Sequence, residues 1–215
     1  KIIYDETNLF VDQKLNNIYI YTKFLAERYL LELKEKGLNF KIMRLGNLTN
    51  RINDNKFQIN AEENMFANRI KTLLKIKILP KNLEDFYLEF TPVDFAAHTI
   101  INLSKLDSKY IMFHLFNHNH VPLKRFIQIL KKIDINVRFI SEDEFAKKME
   151  KYMCDEKKSE DISGIIIDLN KDNRLNYLTN ITIKSYYTIE ILKKIGIKWP
   201  EIEDEYIIKY IKKFM

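Results

Sequence analysis

The apolar positions of the chain alternate between helical and strand-like spacing. From Asn17 to Lys36 they recur at helical intervals, with Asn16 or Asn17 as a candidate N-cap and Gly37 as the stop. Phe40 to Arg44 is a short strand-like run. A helix followed by Gly37-Leu38 and a strand is the αβ half of an α/β repeat, which predicts a mostly parallel sheet. Leu45 to Ala61 is polar and without period, a long loop of the kind that is often functional. Glu62 to Ile76 reads as a second helix that ends before Pro80. Thr91-Pro92-Val93-Asp94 opens a third helix, running to about Ser104, with Thr91 as cap, Pro92 at the first helical position and Asp94 complementing the helix dipole. The alternation continues with a strand over Tyr110 to Phe116, a helix over Pro122 to Ile133, a strand over Asn136 to Ile140, and a helix from Ser141, its cap, to Met153. A charged loop follows Asp155, and two helices, Ile183 to Ile195 and Asp204 to Phe214, close the pattern.

Composition narrows the class. With 46% apolar and 13% aromatic residues, the 215-residue chain can bury one substantial core, so a single domain over residues 1–215 is expected. Every apolar run is too short to cross a bilayer as a helix, so no membrane association is expected. The sequence opens on Lys1 with neither an initiator Met nor a signal-peptide pattern, which reads as a piece of a longer polypeptide. Cys154 stands alone and cannot form an internal disulfide, in keeping with a reducing, cytoplasmic setting. The net charge of +6 is spread among interleaved acidic residues, without the basic, aromatic-studded stripe of a nucleic-acid binder. His118-x-His120, with His114 nearby, lacks further ligands at a familiar spacing, so no metal is expected.

The candidate chemistry lies on the first helix. Tyr19 and Lys23 are four residues apart and share a helix face. Stepping along that stripe gives Ala26, Leu30 and Leu33, residues that should face the sheet. Carbonyl reduction by a nicotinamide needs a proton donor, and an ordinary tyrosine, with a pKa of about 10, is a poor one at neutral pH. An adjacent ammonium favours the phenolate and has donors to spare for ribose hydroxyls. On spacing and stripe alone, a surface Tyr–Lys pair explains the pattern equally well.

The wider string decides between them. Tyr19-Ile20-Tyr21-Thr22-Lys23-Phe24-Leu25-Ala26-Glu27 is followed by a strand and Arg44-Leu45-Gly46-Asn47, then by Glu89-Phe90-Thr91-Pro92-Val93-Asp94 and Phe113-His114-Leu115-Phe116-Asn117. This order resembles the extended short-chain dehydrogenase/reductase superfamily, and within it the thioester reductase domains of nonribosomal peptide synthetases. The resemblance covers at least Tyr19 to Pro122 and implies an α/β fold: the C-terminal portion of a Rossmann-like reductase, a partial parallel sheet with flanking helices, plus a helical substrate-side region. It implies that Tyr19 is the proton donor and Lys23 its tuner and ribose ligand, with Arg44, Leu45, Gly46 and Asn47 along the cofactor. Gly46 equally suits an ordinary turn after a strand. Asn64 and Asn68 would line the substrate channel near the pantetheine arm, or else belong to a solvated helix face.

The implied reaction is reductive release of a carrier-protein-bound peptidyl or acyl thioester as aldehyde or alcohol, using NADPH or NADH. The implied partners are an acyl or peptidyl carrier protein with its phosphopantetheine and upstream synthetase modules of the same polypeptide. The family's Gly-rich pyrophosphate turn and its Ser or Thr before the tyrosine are missing from the sequence, which carries only four glycines. By itself the chain is therefore expected to bind NADPH weakly and to be inactive. A reductase or epimerase acting on a nucleotide-sugar, and a non-catalytic docking scaffold, stand as alternatives.

Overall fold

The computed structural model describes residues 2–9, 15, 18–107, 109–175 and 181–215, apart from the side chains of Glu62 and Ile181. In chain order the elements are β1 (Ile2–Tyr4), α1 (Ile18–Lys34), β2 (Ile42–Leu45), β3 (Leu48–Thr49), α2 (Met65–Ile76), β4 (Ile78–Pro80), β5 (Tyr87–Leu88), β6 (Thr91–Pro92), α3 (Val93–Ser104), β7 (Met112–Leu115), β8 (Val121–Pro122), α4 (Leu123–Lys132), β9 (Arg138–Ile140), α5 (Glu142–Met153), α6 (Glu156–Ser159), β10 (Ile181–Ile183), α7 (Tyr186–Lys194) and α8 (Asp204–Lys212). They divide into two compact units. Unit 1 is built from Lys1–Gly46, Ala96–Phe116 and Thr179–Trp199; unit 2 from Asn47–Phe95, Asn117–Leu178 and Pro200–Met215.

In unit 1, β1 pairs with β10 and β2 with β7, both parallel, as the helix-then-strand pattern predicts. Gly37, at φ +89°, follows α1 in the left-handed conformation that ends helices. The proposed N-cap of α1, Asn16 or Asn17, lies outside the described residues. In α1 the sheet-facing stripe through Lys23 and Ala26 is not what the structure shows. Both residues are exposed, and the half-buried positions are Phe24, Leu25, Glu27, Leu30, Leu31 and Leu33. The cause is ionic. Glu27 turns inward to meet Arg44 of β2, and that pair carries the line Phe24–Glu27–Leu31 to the protected side.

In unit 2, β3–β6 and β4–β9 are parallel and β5–β8 antiparallel. One apolar cluster fills it, with Phe90, Phe126, Leu130, Met149 and Tyr210 at 1% exposure or less. The Phe90 ring meets Phe66 and Tyr210 edge-on, at centroid distances of 5.1 and 5.6 Å. The stretch read as an irregular loop is held at defined points. Leu48–Thr49 pairs with Thr91–Pro92, the Tyr206 hydroxyl donates to the Asn50 carbonyl, and Asp94 accepts from the amides of Ile52 and Asn53. Helix α2 starts at Met65, three residues later than the pattern suggests, because Asn64 caps it by accepting from the Ala67 amide. Ser141 caps α5 as expected, accepting from the Glu144 amide. After Asp155 the charged stretch is not a loop: Asp155 caps the short α6 through the amides of Lys157 and Lys158.

Candidate active site

Tyr19 and Lys23 lie in the first turns of α1, both exposed, with the Lys23 ammonium 5.4 Å from the centre of the Tyr19 ring. That is cation–π range, so the charge faces the aromatic π-system whose oxygen would carry a developing negative charge. Thr22, between them, turns its hydroxyl back to the Tyr19 carbonyl at 3.0 Å.

Arg44 stands at the centre of a polar network in unit 1. Its guanidinium forms a two-point pair with the Glu27 carboxylate, with contacts of 3.0 and 2.6 Å, donates to the Asn8 carbonyl, and lies 4.8 Å from the Tyr4 ring centre. It also meets Nε2 of His114 at 2.9 Å, while Nδ1 of His114 lies 2.6 Å from the Lys184 carbonyl. A guanidinium only donates and a carbonyl only accepts, so Nε2 is the acceptor and the proton sits on Nδ1. Burial, aided by the Arg44 charge, holds the His114 pKa below its ordinary value. The Arg44 side chain is thus committed to tying α1 to β2. What remains for a ligand is the end of β2, where Leu45 is 45% exposed and the Gly46 amide is held by the Leu115 carbonyl at 2.9 Å.

In unit 2, Asn47 is fixed by Glu89. The Asn47 amide donates to the Glu89 carboxylate at 2.6 Å, its side-chain amide to the Glu89 carbonyl at 3.3 Å, and its own carbonyl accepts from the Thr91 amide. The Thr91 hydroxyl donates to the same carboxylate and accepts from the Asn117 amide. Thr91 is therefore not a helix cap, and Pro92 lies in β6 rather than at the first helical position; the helix begins at Val93. A buried carboxylate competes more strongly for the hydroxyl than the half-solvated amides of a helix end do. Burial raises the Glu89 carboxyl pKa to about 7 against the pull of these donors.

Asn64 spends its side chain within unit 2: its carbonyl oxygen caps α2 and its amide donates to the Leu48 carbonyl at 3.3 Å. Asn68 is half-buried, and its backbone is packed against Gly164, where a Cβ would fall 2.2 Å from the Asn68 carbonyl oxygen. Sequence reading quoted Glu89 only as part of a string and missed its burial; the available signal was a lone carboxylate in the aromatic run Phe86-Tyr87-Leu88-Glu89-Phe90. It missed altogether a cavity of about 270 Å³ in unit 2, with Asn47 and Glu89 in its wall and otherwise mostly apolar. Among the described residues no group of three or more His, Cys, Asp or Glu is placed to hold a metal, and no helix is long and apolar enough to cross a membrane.

The parallel pairings with flanking helices match the Rossmann-like α/β fold of extended short-chain reductase domains. The chain is similar to reductase domains of synthetases. An NAD-binding family model described as male sterility protein matches residues 1–100. The thiolation-reductase di-domain of an archaeal nonribosomal peptide synthetase is 32% identical over 98% of this chain and 44% of its own, at a TM-score of 0.80. The reductase domain of the aureusimine biosynthetic cluster is 23% identical over 100% of this chain and 54% of its own, at a TM-score of 0.81. A UDP-glucose 4-epimerase from Stenotrophomonas maltophila superposes less well, at 12% identity and a TM-score of 0.54 over 98% of this chain and 57% of its own. No curated protein sequence matches the chain. The chain spans about half the length of the reductase domains it resembles. The resemblance read from the Tyr19–Glu27 and Arg44–Asn47 strings is borne out by these matches.

Proposed function

We propose that the chain supplies the proton-donating helix and the substrate side of an NAD(P)H-dependent thioester reductase, which releases an acyl or peptidyl group from the phosphopantetheine thiol of a carrier protein. The observation that carries this reading is the exposed Tyr19–Lys23 pair, ammonium 5.4 Å from the ring, in a chain 32% identical to a thiolation-reductase di-domain. The residues present fit a nicotinamide. Lys23 keeps its ammonium in solvent beside Tyr19, able to donate to ribose hydroxyls, and the end of β2 presents the exposed Leu45 and the Gly46 backbone.

When bound, the reduced nicotinamide supplies hydride to the thioester carbonyl carbon. Tyr19 gives its hydroxyl proton to the oxygen as negative charge develops there, and the Lys23 ammonium stabilises the phenolate left behind. The resulting hemithioacetal breaks its C–S bond, giving an aldehyde and the free thiol; a second reduction would give the alcohol. Gly46 and Asn47 keep the strand end in place through the Leu115 carbonyl and the Glu89 carboxylate. The partner is an acyl or peptidyl carrier protein, the setting a multidomain synthetase in the cytoplasm. The weaker superposition of the sugar-nucleotide epimerase favours the thioester over a nucleotide-sugar.

The test is NADPH oxidation on an acyl-pantetheine thioester by this chain within a polypeptide extended at its N-terminus to carry the Gly-rich cofactor turn, with Tyr19 intact and with Tyr19→Phe. Loss of a general acid lowers turnover about 10²- to 10⁴-fold. A Tyr19→Phe rate within twofold of the parent would overturn the assignment.

A further inference from the structure

The cavity of unit 2 has no role in the proton-transfer chemistry, yet it is a large, partly open and mostly apolar hollow. Its volume is about 270 Å³, and Leu73, Ile76, Leu79, Phe145, Ile165 and Leu175 are among its apolar walls. Protein interiors close such gaps where they can, because every wall atom facing a void loses its dispersion partners. An apolar cavity of about 150 Å³ accepts benzene. A space of about 270 Å³ therefore has room for an apolar chain of roughly eight to ten carbons.

The polar groups in the wall are already committed. The Glu89 carboxylate accepts from the Asn47 amide and the Thr91 hydroxyl. The Arg69 guanidinium is held in a two-point pair by Asp168, at 2.7 and 2.8 Å. A charged group entering the cavity would lose its water and meet no unmatched counter-charge, which is costly. An aliphatic or aromatic group would lose nothing. The cavity also has an address: Asn47, in its wall, is the last residue of the segment assigned to the nicotinamide.

We infer that this cavity receives the apolar part of the acyl group and makes the protein selective for thioesters of medium-length aliphatic or aromatic acids over short or charged ones. The inference names the substrate class of the reductase proposed above and rests on that reading. Its geometry comes from unit 2 alone, so it can be tested apart from hydride transfer.

The experiment is titration calorimetry of the protein without NADPH against S-acetyl, S-octanoyl, S-hexadecanoyl and S-succinyl pantetheine. Octanoyl should bind at least tenfold more tightly than acetyl, hexadecanoyl should lose that gain because it exceeds the volume, and succinyl should bind no better than acetyl. Leu73→Trp, which puts an indole into the cavity, should bring the octanoyl-to-acetyl ratio down about tenfold. If that variant does not fold, the chain-length series on the unaltered protein decides alone. Equal affinity along the series, or succinyl binding as well as octanoyl, overturns the inference even if NADPH-dependent turnover is seen. Octanoyl preference without turnover of any thioester by the N-terminally extended polypeptide keeps the cavity assignment and removes the reductase reading.

Discussion

Both units bury apolar side chains, such as Phe113 in unit 1 and Phe90 in unit 2, but their helices and charged groups are used differently. In unit 1 the longest helix, α1, buries none of its 17 residues, while charged and polar side chains, Arg44, Glu27 and His114, converge inside. In unit 2 the 12-residue α2 buries six residues, and the centre is a cluster of aromatic and aliphatic side chains around Phe90 and Tyr210. The candidate acid sits on the exposed element and the candidate substrate cavity inside the apolar one. Reactivity and packing are thus assigned to different residues, so they can be perturbed separately.

Four measurements sharpen or break that contrast. Phe90→Ala, which empties the middle of the unit 2 cluster, should cost about 3–5 kcal/mol in denaturant unfolding. A loss below about 1 kcal/mol would mean that unit 2 is not held by its apolar centre. Glu89 is the polar exception in unit 2, and its effect depends on pH. Its folded-state pKa, about 7, lies above the ordinary carboxyl value of 4.5, so between these pH values the folded protein keeps a proton that the unfolded chain has released. The associated stability is present in full below about pH 4.5 and is lost as pH rises through about 7, a decline of about 3 kcal/mol. Glu89→Gln should flatten that slope between pH 4.5 and 7; an unchanged slope would place its origin elsewhere. Gly164→Ala should cost about 1–3 kcal/mol, because the new methyl is driven against the Asn68 carbonyl and cannot be relieved by a side-chain rotation. The smallest effect belongs to unit 1: Tyr19→Phe should leave stability within about 0.5 kcal/mol while removing turnover, and a larger loss would show that the hydroxyl has a structural duty.

How much of this could be read from the sequence depended on the range of each interaction. Gly37 and Ser141 did what their residue types predict, since a helix stop and an N-cap are decided within a few residues. Thr91 failed as a cap because Glu89 and Asn117 claim its hydroxyl, and no helix-start rule weighs a buried carboxylate two positions back. Pairs such as β3–β6 and β5–β8 are two residues long, too short for a period of two to show. The exposure of Lys23 escaped because the inward face of α1 is set by Arg44, 17 positions beyond Glu27, rather than by the helix's own apolar spacing. Tyr19 and Lys23 could be picked out by spacing, being neighbours on one helix. The cavity could not, because its walls come from α2, β4, α5 and the segments around Ile165 and Leu175, and a void leaves no mark on any one of them.

The threading of the chain through its units sets an order of assembly. Unit 1 closes on itself only when the Glu6 carboxylate finds the Thr188 amide, 182 positions later, and β1 finds β10. Unit 2 is completed later still, by α8, whose Tyr206 and Tyr210 fill its centre. As a chain leaves the ribosome at about 5–20 residues per second, unit 1 can therefore close only after Thr188 has emerged, and unit 2 only after Tyr206 and Tyr210 have followed. Until then the early segments of both units stay without their partners, with strand edges and apolar helix faces open. Folding in the cell should accordingly depend more on chaperone capture during synthesis than two units of this size would suggest.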